Sequence, residues 1–124
     1  DSVFWRNFAW HFPAPLDLRK MRKVSKKLIG RKDFSLFTKK AKNYKDCKRK
    51  IKDIVIRKRS DLISIDIEAD GFLRYMARNI ISFLVRVADG SISLESAPFI
   101  LKGKISYTNR PAPPGGLYLY KIIY

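Results

Sequence analysis

The sequence predicts an α+β fold in which helices pack on one face of an antiparallel sheet, in the order α-β-β-α-α-β. Three patterns support this prediction. Residues 63–69 alternate apolar and polar side chains, which is typical of a strand with one exposed face. Residues 72–88 place apolar side chains at helical spacing, and residues 17–28 do so over a shorter stretch. The chain of 124 residues is predicted to be a single domain, 1–124, that buries a core.

The aromatic-rich start, residues 1–15, is predicted to lead into the first helix in an extended conformation. That helix is expected from Asp17 to Leu28, because Asp17 is a favourable N-cap residue and Gly30 can end the helix. Its apolar stripe is expected to face the core, while its lysines and arginines fall elsewhere around the axis. The stripe consists of Leu18, Met21, Val24 and Leu28.

A short apolar cluster and a basic stretch follow the first helix. Phe34 and Phe37 are expected to fill the core beneath that helix. Residues 38–50 are polar and strongly basic, so they are predicted to form a loop. Tyr44 lies in this loop and is the better candidate for stacking on an unpaired base, because exposed aromatic side chains in basic grooves perform that role.

Two strands joined by a turn come next. Residues 51–56 predict a strand with apolar side chains on both faces, a pattern that a bulge would produce. Residues 59–61 are predicted to form the turn before the cleanly alternating strand 63–69. Asp66 and Glu68 share the polar face of that strand, where we expect them to be solvated beside basic neighbours rather than to bind a cation.

A long helix is predicted from Phe72 to Ala88, with Gly90 ending it. Arg74 and Arg78 are four residues apart, so they are expected to share one face of this helix.

The C-terminal part predicts one more helix and one more strand. Ser93 can cap a short helix over residues 94–102, which Pro98 limits in length. Residues 117–124 predict a strand that is apolar on both faces. Such a strand lies at the centre of a sheet or against a partner.

The positive charge of the chain is concentrated in one segment. The formal net charge is +16, and residues 19–59 hold 19 of the 27 lysines and arginines but only three of the 11 acidic residues. A polyanion is the natural partner of such a segment, because neutralised phosphates release condensed counterions. Nucleic acid is therefore favoured over a charged surface that merely aids solubility. A membrane is not expected, since no apolar run approaches the roughly 20 residues of a membrane span.

The sequence contains no complete catalytic constellation. His11 is the single histidine, and its aromatic neighbours predict a structural role. Cys47 is the single cysteine, which excludes an internal disulfide and leaves no cysteine pair for a zinc site. We expect no metal, and a reducing intracellular location, which is the cytoplasm or, in a eukaryote, the nucleus or an organelle.

Four segments, in order, resemble the TruA family of tRNA pseudouridine synthases. Residues 69–80 are the most specific, because they resemble the signature Phe-Leu-x-x-Met-Val-Arg-Asn-Ile. Residues 30–37 are similar to the Gly-x-His-Asp-Phe-x-x-Phe segment, with Lys32 in place of the histidine. Residues 112–119 resemble the Ala-Pro-x-x-Gly-Leu-x-Leu ending, and residues 6–17 resemble the lead into the first helix.

The resemblance implies that the chain is the C-terminal portion of the catalytic core and adopts half of the pseudouridine synthase fold. The catalytic aspartate of the family belongs to an Arg-Thr-Asp motif upstream of the matched region. Arg59-Ser60-Asp61 imitates that motif, but its position predicts the hairpin turn. The parent protein is thus expected to be a tRNA pseudouridine synthase, an isomerase without a cofactor, and this chain alone is expected to be inactive.

Roles for individual residues follow from the same resemblance. Arg78 would pair with the absent catalytic aspartate and keep it ionised. Leu117 would pack against the uracil, with Arg74 and Tyr44 also at the substrate. The RNA backbone would be held by Lys20, Lys23, Lys27, Arg31, Lys39, Lys40 and Lys42.

The expected partners are tRNA, with the anticodon stem-loop as the modified region, the missing N-terminal half, and a second copy in a homodimer. The alternative is a free-standing basic RNA-binding or ribosome-associated protein without catalysis.

Overall fold

The computed structural model describes residues 3–11, 15–39, 41–109 and 120–122. Single 3-10 turns cover Lys26–Leu28, Ser35–Phe37 and Ala41–Asn43. The helices and strands, in chain order, are β1 (Phe4–His11), α1 (Leu18–Ser25), β2 (Gly30–Asp33), β3 (Lys48–Arg59), β4 (Leu62–Ala69), α2 (Met76–Ala88), α3 (Ala97–Leu101) and β5 (Tyr120–Ile122).

The strands form one antiparallel sheet in the order β2-β3-β4-β1-β5, which confirms the predicted α+β class. The predicted order of elements lacked two strands, β1 and β2. The described start of the chain is extended, as predicted, but it forms a full strand of the sheet, because β1 pairs with β4 from Phe4 opposite Ala69 to His11 opposite Leu62. β5 pairs with β1 at one edge of this sheet, so within the described residues it is not a central strand, and the predicted alternative, a strand that lies against a partner, stays a prediction.

The β3–β4 hairpin forms as the sequence predicted. Ser60 lies in the turn with a φ of 56°, and Arg59 pairs with Leu62. The predicted bulge is present as a register shift between Ile51 and Asp53. The strand begins earlier than expected, however, because the basic residues from Lys48 onward pair with β2 instead of forming a loop.

The first helix has the predicted start and buried face. The Asp17 Oδ1 atom accepts hydrogen bonds from the backbone N–H groups of Arg19 at 3.1 Å and Lys20 at 3.2 Å, which is the N-cap interaction. The 3-10 turn after α1 carries the chain to the predicted end. Met21, Val24 and Leu28 are fully buried, and Leu18 is half-buried.

The second long helix begins at Met76, four residues later than predicted, because Tyr75 has a left-handed φ of 66°. The preceding residues form a turn in which the Met76 N–H donates to the Leu73 carbonyl at 3.0 Å. Five members of the predicted apolar face are buried: Met76, Ile80, Phe83, Leu84 and Val87. The sixth, Phe72, is half-buried and lies before the helix. Gly90, with a φ of 88°, follows the end of the helix.

Aromatic side chains join α2 to its neighbours. The Phe83 ring lies 5.7 Å from that of Phe37 and 5.4 Å from that of Tyr107, both in edge contacts. Phe34 and Phe37 are buried, as predicted.

The last helix is shorter than predicted and begins at Ala97. Ser93 acts just ahead of it, since its hydroxyl accepts from the Ser96 N–H at 3.1 Å. None of the described helices is long and apolar enough to cross a membrane.

Candidate active-site cleft

An open cleft of about 420 Å³ lies at the N-terminal end of α2. Three separate parts of the chain meet there: β1, the turn before β3, and the loop that leads into α2. The residues that line the cleft are Arg6, Phe8, Tyr44 and residues 72–78.

The loop into α2 is fixed at its start by Asp70. The Asp70 Oδ1 atom accepts from the Lys50 N–H at 2.8 Å, and the Asp70 N–H donates to the Lys50 carbonyl at 3.0 Å. The second carboxylate oxygen lies 3.7 Å from the Arg31 guanidinium. These contacts tie the end of β4 to β3, so the following loop starts from a defined position.

Tyr44 supports the same loop from the other side. Its hydroxyl accepts a hydrogen bond from the Arg74 backbone N–H at 2.9 Å. The Arg49 guanidinium lies 5.6 Å from the centre of its ring. These contacts show that Tyr44 positions the loop, and stacking of a base on its ring stays a prediction.

Tyr75 is the exposed aromatic residue of the cleft, and the sequence analysis missed it. Its side chain is 46% exposed, and the Arg74 guanidinium lies 5.1 Å from its ring centre. The left-handed backbone at Tyr75 is strained for a residue other than glycine, and such strain is concentrated at functional sites. The sequence signal that could have identified it is the Arg74-Tyr75 pair, which occupies the two x positions of the signature Phe-Leu-x-x-Met-Val-Arg-Asn-Ile.

Arg6 is the second lining residue that the sequence analysis missed. It is half-buried on β1, and its guanidinium lies 5.0 Å from the centre of the Phe72 ring. The available signal was a charged residue among the aromatic residues of this strand. Together with Arg74 and Arg78 it makes the cleft strongly cationic, and the described lining residues include no acidic side chain.

Arg78 lies where a cation is not stabilised by its own helix. It occupies the first turn of α2, whose N-terminal end carries partial positive charge. Its side chain is exposed and has no hydrogen bond or ion pair with another described residue. The neighbouring Asn79 has a different task, since its amide donates to the Phe37 carbonyl at 2.8 Å and anchors the helix. An anion entering the cleft would therefore meet Arg78 free to bind it.

The segment at residues 30–37 contributes a structural turn. The Ser35 backbone N–H donates to the Asp33 carboxylate at 2.8 Å. This bond and a second one from the Ser35 hydroxyl lower the pKa of Asp33, with burial opposing the shift and the Lys48 charge adding to it.

The described members of the predicted RNA-backbone set do not line the cleft. Lys40, like the predicted uracil contact Leu117, is outside the described residues. Lys20 is half-buried. The remaining members are exposed: Lys23, Lys27, Arg31, Lys39 and Lys42. The structure thus brings Tyr44, Arg74 and Arg78 together, whereas the described lysines of the set lie on other surfaces.

Asp61 lies far from the cleft, in the hairpin turn, as its position in the sequence predicted. It is exposed, and its carboxylate is 3.2 Å from the His11 Nδ1 atom. His11 is exposed as well, so this pair joins the end of β1 to the turn rather than forming part of an aromatic core.

Comparison with known proteins gives a consistent result. A sequence profile described as tRNA pseudouridine synthase matches residues 24–124. The tRNA pseudouridine synthase A of Thermoanaerobacter sp. (strain X514) is 42% identical over 120 residues, which cover 96% of this chain and 49% of the relative. That of Thermosipho africanus is 42% identical over 125 residues, with coverage of 99% and 51%. That of Thermodesulfovibrio yellowstonii is 34% identical over 138 residues, with coverage of 99% and 53%. The chain spans about half the length of these curated relatives.

Proposed function

Because the chain belongs to the tRNA pseudouridine synthase family, we propose that it forms one wall of a cleft in which such an enzyme isomerises a uridine of tRNA. The observation that carries the proposal is the cleft itself. It holds three arginines and the N-terminal end of α2, and its described lining has no acid. Its arginines can therefore pair with a carboxylate that is supplied from elsewhere.

The carboxylate belongs to the catalytic aspartate of an upstream half. In the intact enzyme this aspartate attacks the target nucleoside, the N-glycosidic bond breaks, and the uracil rotates and rejoins through carbon. Arg78 keeps the aspartate ionised, since a guanidinium within about 4–6 Å lowers a carboxyl pKa by about 1–3 units. This role suits an arginine that has no other partner among the described residues.

The target base has to leave its stack before it can enter the cleft. Tyr75 serves this step as a stacking surface for an unpaired base, because it is exposed at the cleft and has an arginine over its ring. Tyr44 and Arg74 hold the loop on which Tyr75 is presented.

Further parts of the proposal concern the rest of the assembly. The chain is the C-terminal portion of the catalytic core, its partner is the N-terminal half, and the complete enzyme is a homodimer. The modified uridine lies in the anticodon stem-loop, and the enzyme acts in the cytoplasm. The exposed lysines of α1 and of the 3-10 turn after it contact the tRNA backbone.

Binding of tRNA to the chain tests the backbone contacts. We expect the double variant Lys23→Glu/Lys27→Glu to weaken tRNA binding more than Lys102→Glu/Lys104→Glu, a pair with the same charge change on an exposed part of the C-terminal region. Affinity should also fall steeply as salt is raised. Equal effects of the two double variants, or binding that does not respond to salt, would contradict the proposed contacts.

A further inference from the structure

A second concave surface lies at the β3–β4 hairpin, where α1 approaches β3. It has a volume of about 540 Å³, and we refer to it as the hairpin groove. It is lined by Arg22, Ile56, Arg57, Lys58, Arg59, Leu62 and Ser64. We propose that the hairpin groove binds the phosphate backbone of the same RNA at a distance from the cleft. This inference rests on the proposed function.

The charge of the hairpin groove is the first argument. Four of its seven lining residues are cations, and none is acidic. Arg22 is engaged through its Nη2 atom with the Ile56 carbonyl at 3.1 Å, and Arg57 through its Nη1 atom with Asp66 at 2.9 Å. The side chains of Lys58 and Arg59 have no hydrogen bond or ion pair with another described residue. Cations this close together repel one another, so an anion that binds them relieves the repulsion.

The direction of these side chains is the second argument. Successive side chains of a strand point to opposite faces, so Lys58 lies on the other face of β3 from Arg57 and Arg59. Arg22 reaches the strand from α1. The cations therefore surround the edge of β3 instead of spreading over one face. Ile56 is buried and Leu62 is half-buried, and by the same alternation they lie on opposite faces of the hairpin, so each face places an apolar residue next to the cations.

The cations of the hairpin groove also have a possible structural role, because they lie on an open edge of the sheet. β2 pairs with β3 only as far as Ile51, so the remainder of β3 has no strand beside it on that edge within the described residues. Charged side chains on an open edge prevent pairing with other chains. Such a protective role needs charge but no contact with phosphate, and the two roles are separated by measuring RNA binding.

The position of the groove determines which RNA can reach it. Arg6 in the cleft lies opposite Ile67, whereas Leu62 lies five residues further along β4. At about 3.3 Å per residue and about 4.8 Å between strands, the two sites are on the order of 20 Å apart. A short single strand that fills the cleft does not span this distance, whereas a folded tRNA does.

The experiment compares two RNAs with two pairs of substitutions. The variant Lys58→Ala/Arg59→Ala removes the two free cations, and Lys102→Ala/Lys104→Ala is the matched control with the same loss of charge. Dissociation constants are measured by fluorescence anisotropy for an intact tRNA and for a short single-stranded RNA, over a range of salt concentrations. We expect the hairpin variant to lose on the order of tenfold in affinity for tRNA. The slope of the logarithm of the association constant against the logarithm of the salt concentration should become shallower by roughly 1.8, which is about 0.9 for each phosphate contact. Its affinity for the short RNA should equal that of the control.

Each outcome decides the question. If the hairpin variant and the control bind tRNA alike with the same salt slope, the groove only protects an edge and the inference is wrong, while the proposed function stands. If the unsubstituted chain binds neither RNA, the proposed function fails, and the inference fails with it. The variant Lys58→Gln/Arg59→Gln keeps the edge polar and replaces the alanine variant if that one aggregates, with the same expected loss.

Discussion

The strained backbone at Tyr75 gives a prediction that separates its structural cost from its binding role. The substitutions Tyr75→Gly and Tyr75→Ala both remove an exposed ring, but only glycine relieves the left-handed φ of 66°. This conformation costs an L-residue about 1–2 kcal/mol. Glycine loses about 0.5–1 kcal/mol more conformational entropy on folding than alanine. We therefore expect the glycine variant to be more stable than the alanine variant by up to about 1.5 kcal/mol.

The affinity for RNA should depend on the aromatic ring and not on the backbone strain, so it should not distinguish the glycine variant from the alanine variant. Stacking of a base on an aromatic side chain contributes about 1–3 kcal/mol, so both variants should lose roughly 5-fold to 150-fold in affinity for single-stranded RNA. Tyr75→Phe keeps the ring and should bind almost as well as the unsubstituted chain. Phe99→Ala is the control, because Phe99 is 53% exposed on α3 and does not line the cleft.

Two assays on the same preparations provide the answer. Urea unfolding followed by circular dichroism gives the order of stabilities, and fluorescence anisotropy with a short single-stranded RNA gives the affinities. An alanine variant that is more stable than the glycine variant would refute the reasoning about strain. Affinities that stay equal to that of Phe99→Ala would show that Tyr75 is not part of the binding surface.

Three further predictions concern the framework of the cleft. Phe83→Ala should lower the free energy of unfolding by about 3–5 kcal/mol, measured by urea unfolding, because a fully buried ring leaves a cavity between Phe37 and Tyr107; a loss under about 1 kcal/mol would contradict this packing. Asn79→Ala should cost about 1–3 kcal/mol in the same assay, since the Phe37 carbonyl loses its amide donor, and a neutral result would mean that water replaces it. Asp33→Asn should be less stable than the unsubstituted chain at neutral pH. Because the folded-state pKa of Asp33 is lowered, its carboxylate stabilises the fold above the usual pKa range of an aspartate, and this stabilisation is lost as the pH falls through the folded-state pKa. The difference in unfolding free energy between the two proteins should therefore shrink in acid. A difference that is constant with pH would contradict the assigned cause.

Several elements could be predicted because their signals are local. The alternation along β4, the Asp17 N-cap and the turn before Leu62 each involve neighbouring residues, and the structure confirms all three. The burial of Phe34 and Phe37 followed from two large apolar residues within a basic stretch, which have no favourable position outside the core.

The missed strands depend on contacts between distant residues. β1 has large aromatic side chains on both faces, so it shows no clean alternation, and its partner β4 lies more than fifty residues along the chain. β2 has four residues and is mostly exposed, so pairing with β3 defines it rather than its own pattern.

The cleft was predicted only in part for the same reason. Arg74 and Arg78 were expected on one helical face, but α2 begins after Arg74. Arg74 therefore lines the cleft from the loop before the helix, and Arg78 lines it from the first turn of the helix. Glycine is the residue that usually indicates a left-handed backbone, and none stands at this position. The helical periodicity therefore predicted a helix that included Tyr75. Arg6 and Tyr44 enter the cleft only because the sheet and the turn at residues 41–43 bring them there.

The most direct measurement is the rate of pseudouridine formation in tRNA by a single polypeptide in which this chain replaces the matching half of the Thermosipho africanus relative. We expect that polypeptide to convert uridine, Arg78→Ala to abolish the conversion, and Arg78→Lys to retain part of it, while tRNA affinity stays nearly unchanged in both variants. An inactive polypeptide, or a rate that survives Arg78→Ala, would contradict the assignment of the arginine-lined cleft to uridine chemistry.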